Sequence, residues 1–403
     1  MRVLLSTIGS RGDVQPLVAL ALRLRELGQE VRLCVPPDFT AWIEGLGFAV
    51  TPIGPELRKL TAATPSASPP TFTPEQRRQM VEGTVATQFQ TVAEAARGCD
   101  IVVAATALQI AARSVAEAAG IPYVFVGYCP VVFPSAQHAT IPLGVSGDAP
   151  PTADNRERWA NDALGWNAVW GPPLDARRAA LGLAPVEDVR SHIFGDRPWL
   201  AADPILAPWP GADDDAVWQT GAWIVDDDRP LADELEAFLD AGEPPVYFGF
   251  GSIRATPDLS AVMIGSARAL GRRMIVSRGW AELSLVDDAR DCLAVGEVNQ
   301  RALFPRVAAV VHHGGAGTTT AAALAGAPQV VIPQMYDQPY WAGRVQALGI
   351  GYAHARGAPT IESLTAALAG ALHGDVRARA RDVATRMRRD GARVAAERVV
   401  RGV

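Results

Sequence analysis

Short apolar runs alternate along the chain with longer segments in which apolar residues recur at helical spacing. In the first part, Val3–Ser6, Val31–Val35, Phe48–Pro52, Ile101–Ala105 and Pro122–Gly127 predict buried strands with helical patterns between them. Runs that are apolar on both faces and are each followed by a helix are typical of parallel sheets covered on two sides. The pattern therefore predicts an α/β fold.

The first helix is predicted from about Val14 to Leu27, after the turn Gly9–Asp13. Pro16 would then lie in its first turn, where a missing N–H costs nothing, and Gly28 would end it. Residues 128–172 lose this regular pattern and gain prolines and tryptophans. We expect variable loop or lid structure there.

The alternation begins again after a segment rich in proline and aspartate. Its predicted strands are Val246–Phe250, Met274–Ser277, Leu293–Val295, Ala308–His312 and Val330–Ile332. A chain of 403 residues exceeds what a single core usually serves. We predict an N-terminal domain over 1–205, a linker over 206–228, a C-terminal domain over 229–385, and a last helix over 386–403.

Composition excludes several classes of protein. The net charge of −6 argues against a nucleic-acid partner, and no apolar run approaches the roughly 20 residues of a membrane-spanning helix. The N-terminus lacks an export signal, so we expect a cytoplasmic protein. The cysteines lie far apart without metal-ligand spacing, which favours reduced, buried thiols.

One stretch carries the most chemical information. The apolar run ending in His312 and His313 continues into Gly314-Gly315-Ala316-Gly317-Thr318-Thr319, then a helical pattern, another buried strand, and Asp337-Gln338. Glycines let a ligand approach the backbone, and a helix N-terminus attracts anions. The order predicts a diphosphate site with added donors from His313, Thr318 and Thr319. Because successive strand residues face opposite sides, His312 would be structural.

Together with several other stretches, this order resembles the bacterial natural-product glycosyltransferases of family 1, most closely those that act on vancomycin-type glycopeptides. The other matching stretches are Gly9-Ser10-Arg11-Gly12-Asp13, Trp199–Pro204, Gln219–Trp223, Gly249-Phe250-Gly251-Ser252, Ser277-Arg278-Gly279-Trp280 and Gly296-Glu297-Val298-Asn299. Sterol glucosyltransferases share part of the pattern. The resemblance implies the GT-B class, in which two Rossmann-like domains face each other across a cleft and the last helix crosses back to the N-terminal domain.

The resemblance also implies roles for single residues. Asp13 would be the general base that accepts a proton from the acceptor hydroxyl, although it could instead cap the helix expected at Val14. Ser10 would orient the acceptor. The residues implied in donor binding are Ser252, Trp280, Val298, His313, Gly315, Gly317, Thr318, Asp337 and Gln338. Asp337 could instead cap the helix that follows it.

No cofactor is expected beyond a UDP- or dTDP-sugar as co-substrate. The aspartate runs 213–215 and 226–228 superficially fit a divalent-cation site. The first lies in the predicted linker, and the second precedes a helix start, where acids are favoured. We therefore expect a metal-independent enzyme.

The predicted function is an inverting O-glycosyltransferase that moves a hexose or deoxyhexose to a hydroxyl of a bulky natural product, such as a glycopeptide or polyketide aglycone. A sterol or lipid glucosyltransferase would also fit, since the acceptor segments 54–75 and 128–172 match least. A nucleotide-sugar epimerase or a noncatalytic helper protein could share the same fold. The sequence leaves acceptor, sugar and oligomeric state open.

Overall fold

The computed structural model describes residues 1–62, 72–106, 108–141, 154–211, 216–251, 258–280, 285, 287 and 289–403. The chain forms two compact units. The first contains Met1–Ala202, Pro208–Val225 and Arg389–Val403, and the second contains Asp203–Ala207 and Asp226–Arg388. The chain thus crosses between the units more than once, and its last helix belongs to the first unit.

The first unit is built on a seven-stranded parallel sheet in the order β3-β2-β1-β4-β5-β6-β7. Its strands are β1 (Arg2–Thr7), β2 (Glu30–Val35), β3 (Ala49–Pro52), β4 (Ile101–Ala105), β5 (Tyr123–Gly127), β6 (Trp199–Leu200) and β7 (Trp218–Gln219). Val3, Leu4 and Leu5 of β1 are all fully buried. Consecutive buried residues point to both faces, so helices cover both sides of this strand.

Eight helices belong to the first unit among its described residues. They are α1 (Arg11–Glu26), α2 (Thr40–Gly45), α3 (Leu57–Ala62), α4 (Pro74–Ala95), α5 (Ala112–Ala119), α6 (Asn155–Ala180), α7 (Val189–Phe194) and α15 (Gly391–Arg401). Helix α15 packs on α1. The closing helix therefore returns to the N-terminal domain, as the resemblance implies.

The loop predicted over 128–172 is wrong for its second half, which belongs to the 26-residue helix α6. Asp154 caps this helix by accepting the Glu157 N–H at 2.9 Å. Trp159 and Trp166, two helical turns apart, are buried, so these tryptophans form core and not a lid. Residues 142–153 lie outside the described part of the chain.

The second unit has a six-stranded parallel sheet in the order β10-β9-β8-β11-β12-β13. Its strands are β8 (Val246–Gly249), β9 (Met274–Ser277), β10 (Cys292–Val295), β11 (Ala309–His312), β12 (Gln329–Val331) and β13 (Gly351–Ala353). Its helices are α8 (Asp233–Asp240), α9 (Leu259–Ala269), α10 (Gln300–Leu303), α11 (Ala316–Leu324), α12 (Gln338–Ala347), α13 (Ile361–Ala371) and α14 (Gly374–Arg386).

Neighbouring residues of this second sheet enter two separate cores. Phe248 and Val311 belong to one cluster, whereas Tyr247 and Val310 belong to the cluster on the other face. Helices therefore cover both faces of this sheet too, which confirms the predicted α/β class with two parallel-sheet domains. None of the described helices combines the length and the apolar character needed to cross a bilayer. All four cysteines are buried and free, as expected.

Three short strands depart from the sequence prediction. β6, β7 and β13 have only two or three residues each, too few to produce a clear pattern. Strand β7 lies inside the segment expected to be a linker and pairs with β6 through Trp199 and Trp218. That segment therefore contributes an edge strand to the first sheet.

Candidate active site

The turn after β1 holds the Asp13 carboxylate against its own helix. Asp13 Oδ2 accepts the Ser10 backbone N–H at 2.6 Å and the Ser10 hydroxyl at 3.1 Å. A Cβ atom on Gly9 would lie 2.2 Å from the same oxygen, so only glycine leaves room for the carboxylate there. Gly9, Ser10 and Asp13 therefore form one local unit that fixes a partly exposed acid.

Helix α1 begins three residues earlier than the sequence predicts. Ser10 is its N-cap and Arg11 its first residue, which places Asp13 in the third helical position. Ser10 and not Asp13 is therefore the N-cap, but Asp13 takes part in the cap because its carboxylate accepts the Ser10 N–H. Pro16 likewise lies inside the helix, where it cannot donate to the Gly12 carbonyl. The early start follows from the reciprocal bonding of Ser10 and Asp13.

The turn after β11 leads into α11 with no side chain at its cap. Gly315 is the N-cap, and the first turn of the helix has no acidic residue. The first N–H groups of a helix have no acceptor within it, so those of Ala316, Gly317 and Thr318 remain to bind an anion. Gly314, with φ of 94°, approaches Val331 so closely that a Cβ atom would lie 2.7 Å from that side chain.

Thr319 does not contribute as predicted. Its side chain is fully buried, and its hydroxyl donates to the Gly315 carbonyl at 2.8 Å. Thr318 lies one position earlier and is partly exposed. Of the two hydroxyls that the sequence suggests as donors, only that of Thr318 is free to face a ligand.

The paired histidines have different surroundings. His312 is fully buried, its Nδ1 accepts the Gly314 N–H at 3.1 Å, and its Nε2 therefore donates to Gln329 Oε1 at 2.9 Å. Burial lowers the pKa of His312 to about 3. A neutral imidazole bonded at both nitrogens is a structural part of the turn.

His313 lies between glycines. A Cβ atom on Gly315 would lie 2.6 Å from its Nε2, and one on Gly251 would lie 3.1 Å from its Cε1. Within the described part of the chain, its buried Nδ1 has no hydrogen-bond partner. Burial lowers the pKa of His313 to about 4, so the ring is neutral at pH 7 and offers a hydrogen bond, not a charge.

Asp337 and Gln338 lie at the start of α12 and bind their own surroundings. Asp337 Oδ2 accepts the Trp341 indole N–H at 2.8 Å, and burial raises the pKa of this carboxyl. Its side chain makes no capping bond to the helix, so a capping role is not supported. Gln338 Oε1 accepts the N–H groups of Gln334 and Met335 at 2.8 and 3.1 Å. Both side chains are held in place.

Three further residues were predicted to bind the donor, namely Trp280 after β9, Val298 after β10, and Ser252. The Trp280 backbone N–H donates to the Gly251 carbonyl at 2.9 Å, which ties the turns after β8 and β9 together. Val298 packs its side chain on a core cluster and leaves only its backbone for a ligand. Ser252 lies outside the described residues.

The second acidic run is engaged with arginines. Asp227 pairs with Arg229 at 2.7 Å, and Asp226 pairs with Arg301. Residues 212–215, which contain the first run, lie outside the described residues. Across the part of the chain that is described, no three acidic, histidine or cysteine side chains gather in a way that could hold a metal ion.

Two residues that bond to these turns, Gln329 and Tyr128, were not predicted from the sequence. Gln329, a polar residue within an apolar strand, carries the bond that fixes His312, and its position inside a buried run is a signal that could have identified it. Tyr128 follows β5, and its hydroxyl donates to the Asp13 backbone carbonyl at 2.9 Å. No local sequence pattern predicts that contact, because 115 positions separate the two residues.

Comparison with known proteins gives this geometry a context. Residues 3–135 match the Glycosyltransferase family 28 N-terminal domain, and residues 263–400 match the Erythromycin biosynthesis protein CIII-like, C-terminal domain. Glycosyltransferase GtfE of Amycolatopsis orientalis is 52% identical over 98% of this chain and 96% of the relative. Vancomycin aglycone glucosyltransferase of the same organism is 51% identical, again over 98% and 96%.

Solved structures agree in fold. The glycotransferase of kitacinnamycin superposes with a TM-score of 0.74 at 20% identity, over 99% of this chain and 98% of that chain. Glycosyltransferase VinC in complex with dTDP gives a TM-score of 0.63 at 22% identity, over 96% and 94%. The resemblance found in the sequence is confirmed, and this chain belongs to the bacterial natural-product glycosyltransferases of the GT-B class, a family that includes vancomycin-type glycopeptide glycosyltransferases.

Proposed function

We propose that this glycosyltransferase is an inverting O-glycosyltransferase that transfers a hexose or deoxyhexose from UDP or dTDP to a hydroxyl of a glycopeptide or polyketide aglycone. The names of its relatives support a bulky acceptor, since one is a vancomycin aglycone glucosyltransferase and another a dTDP-epi-vancosaminyltransferase. The second relative is 44% identical over 95% of this chain and 93% of its own length.

The observation that carries the proposal is the N-terminus of α11. A cap without a side chain, a first turn without acid and the neighbouring His313 leave several donors for one anion. A diphosphate leaving group develops negative charge as its bond to the sugar breaks, and such donors stabilise that charge. The arrangement supports transfer from a sugar diphosphate.

Asp13 acts as the base in this proposal. Its carboxylate accepts the proton of the acceptor hydroxyl while the hydroxyl oxygen forms a bond to the anomeric carbon. The bond between that carbon and the diphosphate oxygen breaks in the same step, and the electron pair leaves with the diphosphate. Attack from the face opposite the leaving group inverts the anomeric configuration.

A divalent cation is not required in this mechanism. The helix N-terminus supplies the positive potential, and Thr318 and neutral His313 supply further hydrogen bonds. The carboxylates of Asp226 and Asp227 are bound to arginines, which makes them poor metal ligands. We therefore expect EDTA to leave turnover unchanged. Loss of turnover in EDTA that Mg²⁺ or Mn²⁺ restores would contradict this part of the proposal.

A mass-spectrometric screen tests the function. UDP-glucose and dTDP-sugars are each incubated with glycopeptide, polyketide and sterol acceptors, and products are detected by the added mass of one sugar. We expect transfer to a glycopeptide or polyketide aglycone. Transfer to sterols alone, conversion of the nucleotide sugar without transfer, or donor binding without any product would each overturn the proposed function.

A further inference from the structure

We propose that Tyr128 is a positioning residue for Asp13, holding the base through its backbone carbonyl. This inference rests on the proposed role of Asp13. The Tyr128 hydroxyl lies 2.9 Å from the Asp13 carbonyl oxygen and donates to it. The bond joins the residue that follows β5 to the first turn of α1, two elements far apart in sequence.

The hydroxyl is suited to a permanent bond of this kind. Burial and the neighbouring Asp13 charge hold the pKa of Tyr128 well above its usual range. The phenol is therefore protonated at neutral pH and remains a donor. A backbone carbonyl can only accept, so the bond has a single direction and constrains where the Asp13 main chain lies.

The first turn of α1 needs an outside anchor because Pro16 weakens it. Pro16 has no N–H for the Gly12 carbonyl, and its ring crowds that carbonyl. One bond of the regular helical ladder is therefore missing immediately before Asp13. The bonds from Ser10 fix the Asp13 carboxylate, but they come from within the same turn and move with it. Tyr128 connects that turn to the sheet.

The Tyr128 ring is itself fixed. It meets Trp223 edge-on, with ring centroids 6.4 Å apart and planes at 70°. The Trp223 indole N–H donates to Thr220 Oγ1 at 2.9 Å, and that hydroxyl donates to the Gly221 carbonyl at 2.8 Å. The start of α15 packs on the same segment, since a Cβ atom on Gly391 would lie 2.4 Å from the Gly221 carbonyl carbon. The support for Asp13 thus extends through Trp223 to the 220–221 segment and the start of α15, all within the first unit.

The chain offers a matched control in Tyr123. This tyrosine begins β5, is half-buried as Tyr128 is, and donates its hydroxyl to the Ile193 backbone carbonyl at 2.8 Å. Tyr128→Phe and Tyr123→Phe each delete one phenol oxygen that binds one backbone carbonyl. The two variants should lose similar stability, but only one of them touches the Asp13 turn.

The experiment measures kcat and donor KM for both variants, alone and combined with Asp13→Asn. We expect Tyr128→Phe to lower kcat about 3- to 10-fold at nearly unchanged donor KM, with no effect of Tyr123→Phe. In the Asp13→Asn background, Tyr128→Phe should cause no further loss, because its effect passes through the base.

Three results overturn the inference. These are a wild-type kcat in Tyr128→Phe, an equal loss in the two tyrosine variants, and a loss that persists in full when Asp13 is Asn. A fourth result, full turnover of Asp13→Asn alone, would remove the proposed base and with it the reason for positioning it. The first three leave the proposed function intact, so the two failures are distinguishable.

Discussion

The turns that precede α1 and α11 have the same place in the fold, but the two helix starts differ in how their N–H groups are bonded. Each joins a central parallel strand to a helix through glycine. At α1 the chain supplies its own anion, since the Asp13 carboxylate accepts the Ser10 N–H. At α11 the cap is Gly315, and the first turn has no acid. The first helix start is satisfied internally and presents a carboxylate, whereas the second leaves its N–H groups for a ligand.

In the proposed mechanism, the two helix starts have complementary roles. The proposed base needs a carboxylate in a fixed position, and bonds from Ser10 and Tyr128 hold Asp13. We expect the helix start without a side-chain cap to bind the diphosphate that the reaction releases. The difference depends on few residues. Removing the acid from the α1 turn, or adding one to the α11 turn, should therefore abolish the role proposed for that turn.

The largest expected effect is at the first turn. Asp13→Asn should lower kcat about 100-fold or more, because loss of a general base typically costs that much. Asparagine keeps an oxygen for the Ser10 N–H, so the helix start should survive. Steady-state kinetics and thermal unfolding measure the two effects. Near-normal turnover in a folded variant would show that Asp13 is only structural, and the proposed difference in function between the two turns would be wrong.

An acid added to the second turn should make it resemble the first. Gly317 is exposed, and a Cβ atom there would meet nothing within 4 Å. Gly317→Asp should stabilise the helix start while repelling the diphosphate, lowering donor affinity about tenfold or more. Calorimetric titration with the nucleotide diphosphate and thermal unfolding check both signs.

Gly317→Ala is the control for this prediction. It should also raise the unfolding temperature, because alanine favours a helix, but it adds no charge and should leave donor affinity nearly unchanged. If the aspartate and alanine variants bind the diphosphate equally well, the ligand is not at this helix start.

We expect Asp337 and Gln338 to bind hydroxyls of the transferred sugar and so to discriminate between sugar donors. Their oxygens already hold Trp341 and the 334–335 backbone, so each side chain is fixed for a ligand bond. Replacing both by alanine should reduce the preference for a glucose donor over a 2,3,6-trideoxyhexose donor by roughly tenfold, since the deoxysugar lacks hydroxyls to lose. The ratio of kcat/KM for the two donors is the measurement. An equal loss for both donors would indicate support of the fold alone.

The smallest effect is expected at His313. The neutral ring offers one hydrogen bond, so His313→Ala should weaken diphosphate binding only about 2- to 10-fold. The matched variant is His312→Ala, which leaves Gln329 and the Gly314 N–H without partners and should lower stability far more. Titration and thermal unfolding of the two variants separate the roles. A larger loss of stability in His313→Ala than in His312→Ala would reverse the assignment.

Much of the fold could be predicted from the sequence, because long buried strands such as β1 and β4 leave a clear apolar pattern. Strand alternation also predicted that His312 is structural, and its two hydrogen bonds agree with this, while the role of His313 in donor binding stays a prediction. It misplaced the start of α1 and the 128–172 segment, where a bond between Ser10 and Asp13 and the burial of tryptophans override local residue preference. Contacts between distant segments, such as Tyr128 with Asp13, leave no local trace.

The most direct test of the central claim is the anomeric configuration of the product. An α-linked nucleotide glucose is incubated with the aglycone that the screen identifies, in the presence of EDTA, and the glycoside is analysed by proton NMR. Direct displacement assisted by Asp13 predicts a β-glycoside as the sole product. An α-glycoside would contradict the account, since retention requires chemistry that a single base and an anion site do not provide.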